Sequence, residues 1–432
     1  MNRFWMALLM PLWIYAHSVT VEVSPSQSVI NSGQKSTVYL KVNLHGEKLA
    51  SQSQRTPLNV ALVLDRSGSM MGEKMEQTKV AAKAFVDRLD SNDIVSIVTY
   101  DDKLEVLYPA SKLTDRQKIK DKIDSINARG STALYGGVQK GAQEIRKFIS
   151  GDRVNRIILL SDGQANVGLS SPEALGELGK SLVQEGISVT TLGLGMGYNE
   201  DLMTKLAYMS DGNHKFLKNN EDIEYFFNKE LGFIASVAAQ HVEVTIGCDY
   251  GVTPIKMVDV DATIKGQTVK AGFNQIYGDH SRYMLLALEV DPKKIGDKGS
   301  VATVTIAYVD ARTKEPKTLH QRVTLALSAD NTVVEKSHNR EVEISVAEQE
   351  ATITSVEVVK LRDTNRIVEA KKVLQKNIDR LEQQSATLQS PVLQKMVESN
   401  KADLKNLDTP KWSEQRKMMK DTQTKSFSKG AL

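Results

Sequence analysis

The stretch Asn59–Thr78, NVALVLDRSGSMMGEKMEQT, decides how the chain is read. An apolar run, Val60–Leu64, stops at Asp65, and Ser67 and Ser69 follow at two-residue steps before a helix-like segment begins at Gly72. One carboxylate and two hydroxyls at i, i+2 and i+4, where a hydrophobic strand ends, suit a helix cap, a metal site or a phosphate cradle. The neighbouring pattern narrows the choice. Apolar strands at 94–100, 156–161, 188–194 and 215–217 alternate with helical stretches at 72–89, 114–126, 133–148, 172–185, 200–209 and 221–237, with a short hairpin-like piece at 104–107. Continuous apolar strands between amphipathic helices predict an α/β fold, a mostly parallel, doubly wound sheet covered on both faces.

Two further sites answer the first. Asp162 ends the apolar strand of IILLSDGQANVG, and Thr132 lies in ARGSTALYGG. Ligands of open α/β sheets bind outside the carboxyl ends of the strands, so Asp65 and Asp162 belong to the functional edge. Two carboxylates and three hydroxyls form an oxygen-only set, which suits Mg²⁺, with Mn²⁺ or Ca²⁺ as alternatives. Zinc is not suggested, because the seven histidines are scattered without ligand spacing. Capping by Ser69 explains neither Asp65 nor the two distant sites. An EF-hand fails at Met70, where glycine is needed, and in the strand that precedes the loop. TLGLGMGYNED gives G-x-G-x-G without the dinucleotide spacing and reads as a tight turn. There is no P-loop lysine motif and no G-x-S-x-G elbow.

With these residues in place, segment 59–237 resembles a von Willebrand factor A-type domain. Asp65, Ser67, Ser69, Thr132 and Asp162 match the D-x-S-x-S, T and D of its metal-ion-dependent adhesion site. The resemblance implies that Ser67, Ser69 and Thr132 bind the metal directly or through water, while Asp65 and Asp162 hold its waters and the serine hydroxyls. It implies a protein partner whose Asp or Glu takes the open position. Arg66, Met70, Met71, Tyr135 and Asn166 are predicted to form the rim that such a partner touches. Asp101 and Asp102 are read as surface charge.

The flanks differ. Residues 19–58 alternate apolar and polar positions, as in Val38, Leu40, Val42 and Leu44, and strand patterning returns over 238–330. The two pieces are expected to form one β-sandwich interrupted by the α/β domain, as the first is too small for its own core. These flanks are loosely similar to inter-alpha-trypsin inhibitor heavy chains. Residues 331–410 are expected to form a helical hairpin broken near Ser390–Pro391, and 411–432 a flexible basic tail. At the other end, Arg3, the apolar stretch Phe4–Ala16 and Ala16-His17-Ser18 predict a signal peptide over 1–18 cleaved after Ser18, with an uncleaved anchor as the alternative.

The 432 residues exceed one ordinary core. A net charge of +3, from 56 basic and 53 acidic residues, gives no reason to expect nucleic acid. The single cysteine, Cys248, cannot form an internal disulfide and reads as a buried small hydrophobe. The expected protein is periplasmic or secreted, is not an enzyme, has no transmembrane span in its mature chain, and binds a partner through a divalent cation. The alternatives are a Mg²⁺-dependent hydrolase or phosphatase, and a metal-stabilised structural envelope protein.

Overall fold

A computed structural model describes residues 18–48, 55–162, 165–219, 222–296 and 299–429. The expected signal segment, apart from Ser18, lies outside the described residues. The chain enters through strands β1 (Val19–Pro25), β2 (Val29–Asn31) and β3 (Ser36–Gly46). In β3 the period-two pattern becomes burial: Val38, Leu40, Val42 and Leu44 point into a core and the residues between them do not.

The α/β unit follows as β4 (Leu58–Asp65), α1 (Glu73–Arg88), β5 (Ile94–Tyr100), β6 (Leu104–Lys112), α2 (Arg116–Asp124), α3 (Leu134–Arg146), β7 (Val154–Ser161), α4 (Pro172–Gln184), β8 (Ile187–Leu194), α5 (Glu200–Met209), β9 (His214–Leu217) and α6 (Asp222–Ile234). Its six strands run in the order β6-β5-β4-β7-β8-β9, all parallel except β6. Every residue of β4 and β7 is buried, because helices cover both faces. Val60, Leu62 and Leu64 face a core shared with Phe85 and Phe227, whose rings meet edge to face at 5.9 Å. Ala61 and Val63 face the opposite core, with Leu134, Val138, Leu175 and Leu202. The alternation along one strand thus assigns α1 and α6 to one side and α3, α4 and α5 to the other.

The remaining strands are β10 (Val237–Cys248), β11 (Val252–Met257), β12 (Thr263–Lys265), β13 (Thr268–Tyr277), β14 (Ser281–Val290), β15 (Ser300–Asp310), β16 (Pro316–Thr324) and β17 (Ala326–Ser328). One sheet has the order β1-β3-β14-β11 and the other β12-β13-β10-β15-β16. Their inner faces share a single apolar core, so the strands before and after the α/β unit do close into one sandwich. Cys248 is buried at its margin, and that burial pushes the thiol pKa up to about 11. The α/β unit is fixed to the sandwich through Arg156 of β7, which is fully buried. It donates to Thr190 at 3.3 Å, to Gln275 at 3.1 Å and to the Tyr277 hydroxyl.

The C-terminal part departs from the sequence expectation. It comprises α7 (Asn331–Lys336), α8 (Arg340–Asp363), α9 (Ile367–Leu388), α10 (Pro391–Asn406) and α11 (Trp412–Ser428). The arm of the expected hairpin before Ser390–Pro391 is divided at Asn365, whose φ of 61° supplies the left-handed residue that ends α8. Over 412–428 the tail expected to be flexible is instead helix α11, docked on α8, α5 and β9, while 430–432 lie outside the described residues. Ion pairs in both directions hold it there. Arg416 pairs with Glu200, Asp201 and Asp363, Lys417 pairs with Glu200, and Asp421 accepts from Lys215 and from the Phe216 amide. No helix of the described residues is long and apolar enough to cross a membrane.

Arg416→Ala should remove the guanidinium that joins Glu200 and Asp201 to Asp363, leaving Glu200 with Lys417 alone. The expected loss is about 2 kcal/mol of unfolding free energy, the scale for hydrogen bonds to charged groups, because Lys417 and Lys420 still face the two acids of α5. Urea denaturation of the variant checks this, and an unchanged midpoint would show that α11 is only loosely attached.

Candidate metal centre

The centre forms where β4 and β7, adjacent and parallel, both end in acids. Asp65 closes β4 and is fully buried; Asp162 follows β7 and is 1% exposed. Asp65 Oδ1 accepts from the Ser67 amide at 2.8 Å, and its Oδ2 accepts from the Ser161 hydroxyl at 2.6 Å. Burial pushes the Asp65 carboxyl up to about 6, against these hydrogen bonds and with a smaller push from Asp162. A single 3₁₀ turn, Gly68–Met70, then brings Ser69 back over Ser67, so that their Oγ atoms lie 3.0 Å apart. Ser69 Oγ donates to Asp162 Oδ1 at 2.7 Å. The two hydroxyls thus bridge the two strand ends.

Thr132 reaches the same place through backbone hydrogen bonds. The Arg129 amide donates to Arg66 O at 2.7 Å and the Gly68 amide to Gly130 O at 3.0 Å. Gly130 has a φ of 68°, and a Cβ there would lie 2.1 Å from Asp102 Oδ1, so the loop needs glycine. The next residues are clamped from both sides. The Ala133 amide donates to Asp101 O at 2.9 Å. Asn166 Oδ1 accepts from the Thr132 amide at 2.9 Å, and the Asn166 amide donates to Thr132 O at 3.1 Å. Hydrogen bonds thus link Asp65, Ser67, Ser69 and Asp162, and the Gly68–Gly130 contact brings the Thr132 loop against the same turn.

The rim differs from expectation. Met71 is 69% exposed, whereas Met70 is fully buried in the core beneath the turn. Arg66 is 6% exposed and donates to Asp101 at 2.9 Å and Glu105 at 2.7 Å, so it braces the site from behind. Tyr135 is half-buried against the α3 core, and Asn166 positions Thr132. Asp101, read as surface charge, is fully buried. Burial pushes its carboxyl up, but Arg129, the Lys103 amide and Arg66 outweigh this and leave it below the ordinary carboxylate range.

The structure adds a residue that sequence spacing did not single out. The Lys74 ammonium pairs with Asp162 Oδ2 and donates to Ser69 O at 3.2 Å. Only the proximity of the β7 end reveals it, since Lys74 and Asp162 are far apart in the chain. Among the described residues, no group of three or more His, Cys, Asp or Glu side chains is set to hold a metal. An oxygen site here would therefore rest on hydroxyls. The cluster fits that requirement, with two buried carboxylates directed at paired serines and Thr132 beside them.

Comparison with known proteins agrees with the fold. The family description "von Willebrand factor type A domain" matches residues 59–229. An uncharacterised protein of Synechocystis sp. is 25% identical over 327 residues, 73% of this chain and 76% of its own length. An uncharacterised Escherichia coli protein is 30% identical over 191 residues, 44% of this chain and 33% of its own length. An inter-alpha-trypsin inhibitor heavy chain of Mus musculus is 25% identical over 263 residues, 59% of this chain but only 26% of its own length. Among solved structures, a von Willebrand factor type A protein from Catenulispora acidiphila superposes with a TM-score of 0.71 over 90% of each chain, at 15% identity. The VWA2 protein of Sulfolobus acidocaldarius superposes with a TM-score of 0.64 over 96% of this chain and 99% of its own, at 18% identity. Residues 59–229 thus match the von Willebrand factor type A domain, and the unit they form is set into a β-sandwich and followed by a helical region.

Proposed function

We propose that this chain is a secreted or periplasmic binding protein that captures an acidic side chain of a protein partner through a divalent cation, Mg²⁺ in the first instance. The observation that carries the reading is the convergence of Asp65, Ser67, Ser69, Thr132 and Asp162 at one sheet edge, held by hydrogen bonds from three loops. Ser67, Ser69 and Thr132 would offer hydroxyl oxygens to the ion, with Asp65 and Asp162 orienting those hydroxyls. The cation supplies an electrophilic position for a carboxylate oxygen, because neutral hydroxyls leave most of its charge unquenched. The domain is a type that mediates protein–protein interaction, and the proposal takes it as non-enzymatic.

The surroundings suit a protein surface. Exposed apolar side chains occur at the same end of the sheet: Met71 after β4, Leu104 at the start of β6, Leu169 after β7 and Met196 after β8. Met196 lies between Gly195, near Lys74, and Gly197, near the Asp162 carbonyl, so it borders the carboxylates. A polar centre with apolar side chains around it matches an acidic residue flanked by hydrophobic ones.

Mg²⁺ at a hundredfold excess over its Kd should raise the unfolding free energy by about 2.7 kcal/mol, reversed by EDTA. Thr132→Ala should abolish that increment while keeping the fold, which thermal melts with and without the ion measure. Affinity capture from the native host should lose the partner in EDTA, and equal capture with and without Mg²⁺ would sink the proposal. Stabilisation by Mg²⁺ with no metal-dependent capture would favour a structural envelope role instead.

The combined substitutions Met71→Ser and Met196→Ser should weaken capture roughly tenfold while leaving the Mg²⁺ increment in the melts unchanged. Capture at wild-type strength would remove the apolar loops from the interface.

A further inference from the structure

Lys74 is an unexpected cation at this place. It lies in the first turn of α1, where the helix dipole disfavours positive charge and where Glu73 and Glu76 are the favourable neighbours. Its side chain is 31% exposed, and its ammonium is directed onto Asp162 Oδ2. Gly195, at a φ of 62° just after β8, lies beside it, where a Cβ would make an ordinary 3.9 Å contact with the Lys74 Cε. Asp162 is thereby divided: Oδ2 faces the ammonium and Oδ1 faces the Ser69 hydroxyl.

We infer that Lys74 is the built-in counter-ion of the metal site, one that weakens metal binding yet keeps the loaded centre positive, and so makes a carboxylate the ligand the site selects. The inference rests on the metal-dependent reading above. Two carboxylates and one ammonium carry one net negative charge. A dication turns this to one net positive, and a partner's carboxylate brings it to zero. Without the ammonium the dication alone would neutralise the site, and an arriving carboxylate would then leave it negative. The adjacent group of Arg66, Arg129, Asp101 and Glu105 is internally balanced and does not alter the sum. The charges lie next to largely buried carboxylates, where a unit charge has far more effect than in water.

This assignment separates two affinities that a merely structural lysine would move together. The test uses Mn²⁺ alone, titrated into the full chain and followed by the electron paramagnetic resonance of the free ion. Acetate is then titrated into the loaded protein, and water-proton relaxation reports its entry at the ion. Lys74→Gln should bind Mn²⁺ on the order of tenfold more tightly and acetate several-fold more weakly, with both differences shrinking as salt rises. Lys74→Arg keeps the charge and should track the wild type. Lys74→Met provides a second neutral variant, and circular dichroism melts establish that each one folds. Weaker Mn²⁺ binding by the neutral variants would make Lys74 a structural tether and overturn the inference, as would unchanged acetate binding. A wild-type chain that binds no Mn²⁺ would overturn the metal reading together with the inference, a result that needs no variant.

Discussion

Two carboxylates end adjacent strands inside a covered sheet, and much of the local structure answers that constraint. A buried carboxylate without donors is costly, and the effect is visible at Asp65, whose carboxyl is pushed up to about 6 even with its hydrogen bonds in place. Each Asp65 oxygen receives its own donor, one from the Ser67 amide and one from the Ser161 hydroxyl. Asp162 divides its oxygens between Ser69 and Lys74. Those donors come from the loop after β4, the end of β7 and the start of α1. Satisfying the acids therefore fixes how three segments meet, and the paired serine hydroxyls are a consequence of that geometry.

The loop that carries Thr132 is governed by a second buried acid. Asp101 accepts from Arg66 and Arg129 through its side chain and from the Ala133 amide through its carbonyl. It ties the loop after β5 to the loop after β4 and to the N-terminus of α3. Asn166 adds the tie from the β7 side. Thr132 is held between two strand ends without being on either of them. Under the proposed function, a hydroxyl that would share an ion with Ser67 and Ser69 requires that rigidity.

The legible parts of the sequence were those where residue type and strand position agreed. Asp65, Ser67 and Ser69 follow a continuous apolar run, so both their spacing and their location could be read. Asp162 repeats the situation on the neighbouring strand. Positions inside the turn could not be oriented, because consecutive loop residues carry no period. Met70 and Met71 look alike in sequence, yet one lies in the core and the other in solvent. Arg66 and Asp101 look like two surface charges until the β4–β5 pairing puts them side by side. Lys74 is harder still, since a lysine in a helix carries no sign that its counter-ion lies nearly ninety positions away. Helix α11 was missed for a related reason. Its buried face includes Lys417, Gln423 and Thr424 beside Met419, so an apolar period is nearly absent and ion pairs do much of the docking.

The position of α11 bears on how the centre works. Lys417 donates to the Tyr198 carbonyl at 2.7 Å and pairs with Glu200, so α11 is attached to the turn between β8 and α5. That same turn contains Gly197, where a Cβ would lie 3.0 Å from the Asp162 carbonyl, leaving little space for the turn to move inward. On the opposite flank, Arg156 anchors β7 to the sandwich through Gln275 and Tyr277. The strand that leads into Asp162 is thus braced at its middle by one neighbour, and the turn beside Asp162 is braced by the other. A centre held from both sides gains little selectivity by rearranging around its ligand. What it can vary is charge: on the proposed metal-dependent reading, the fixed acids, one fixed ammonium and an ion between them would determine which partner group is drawn in.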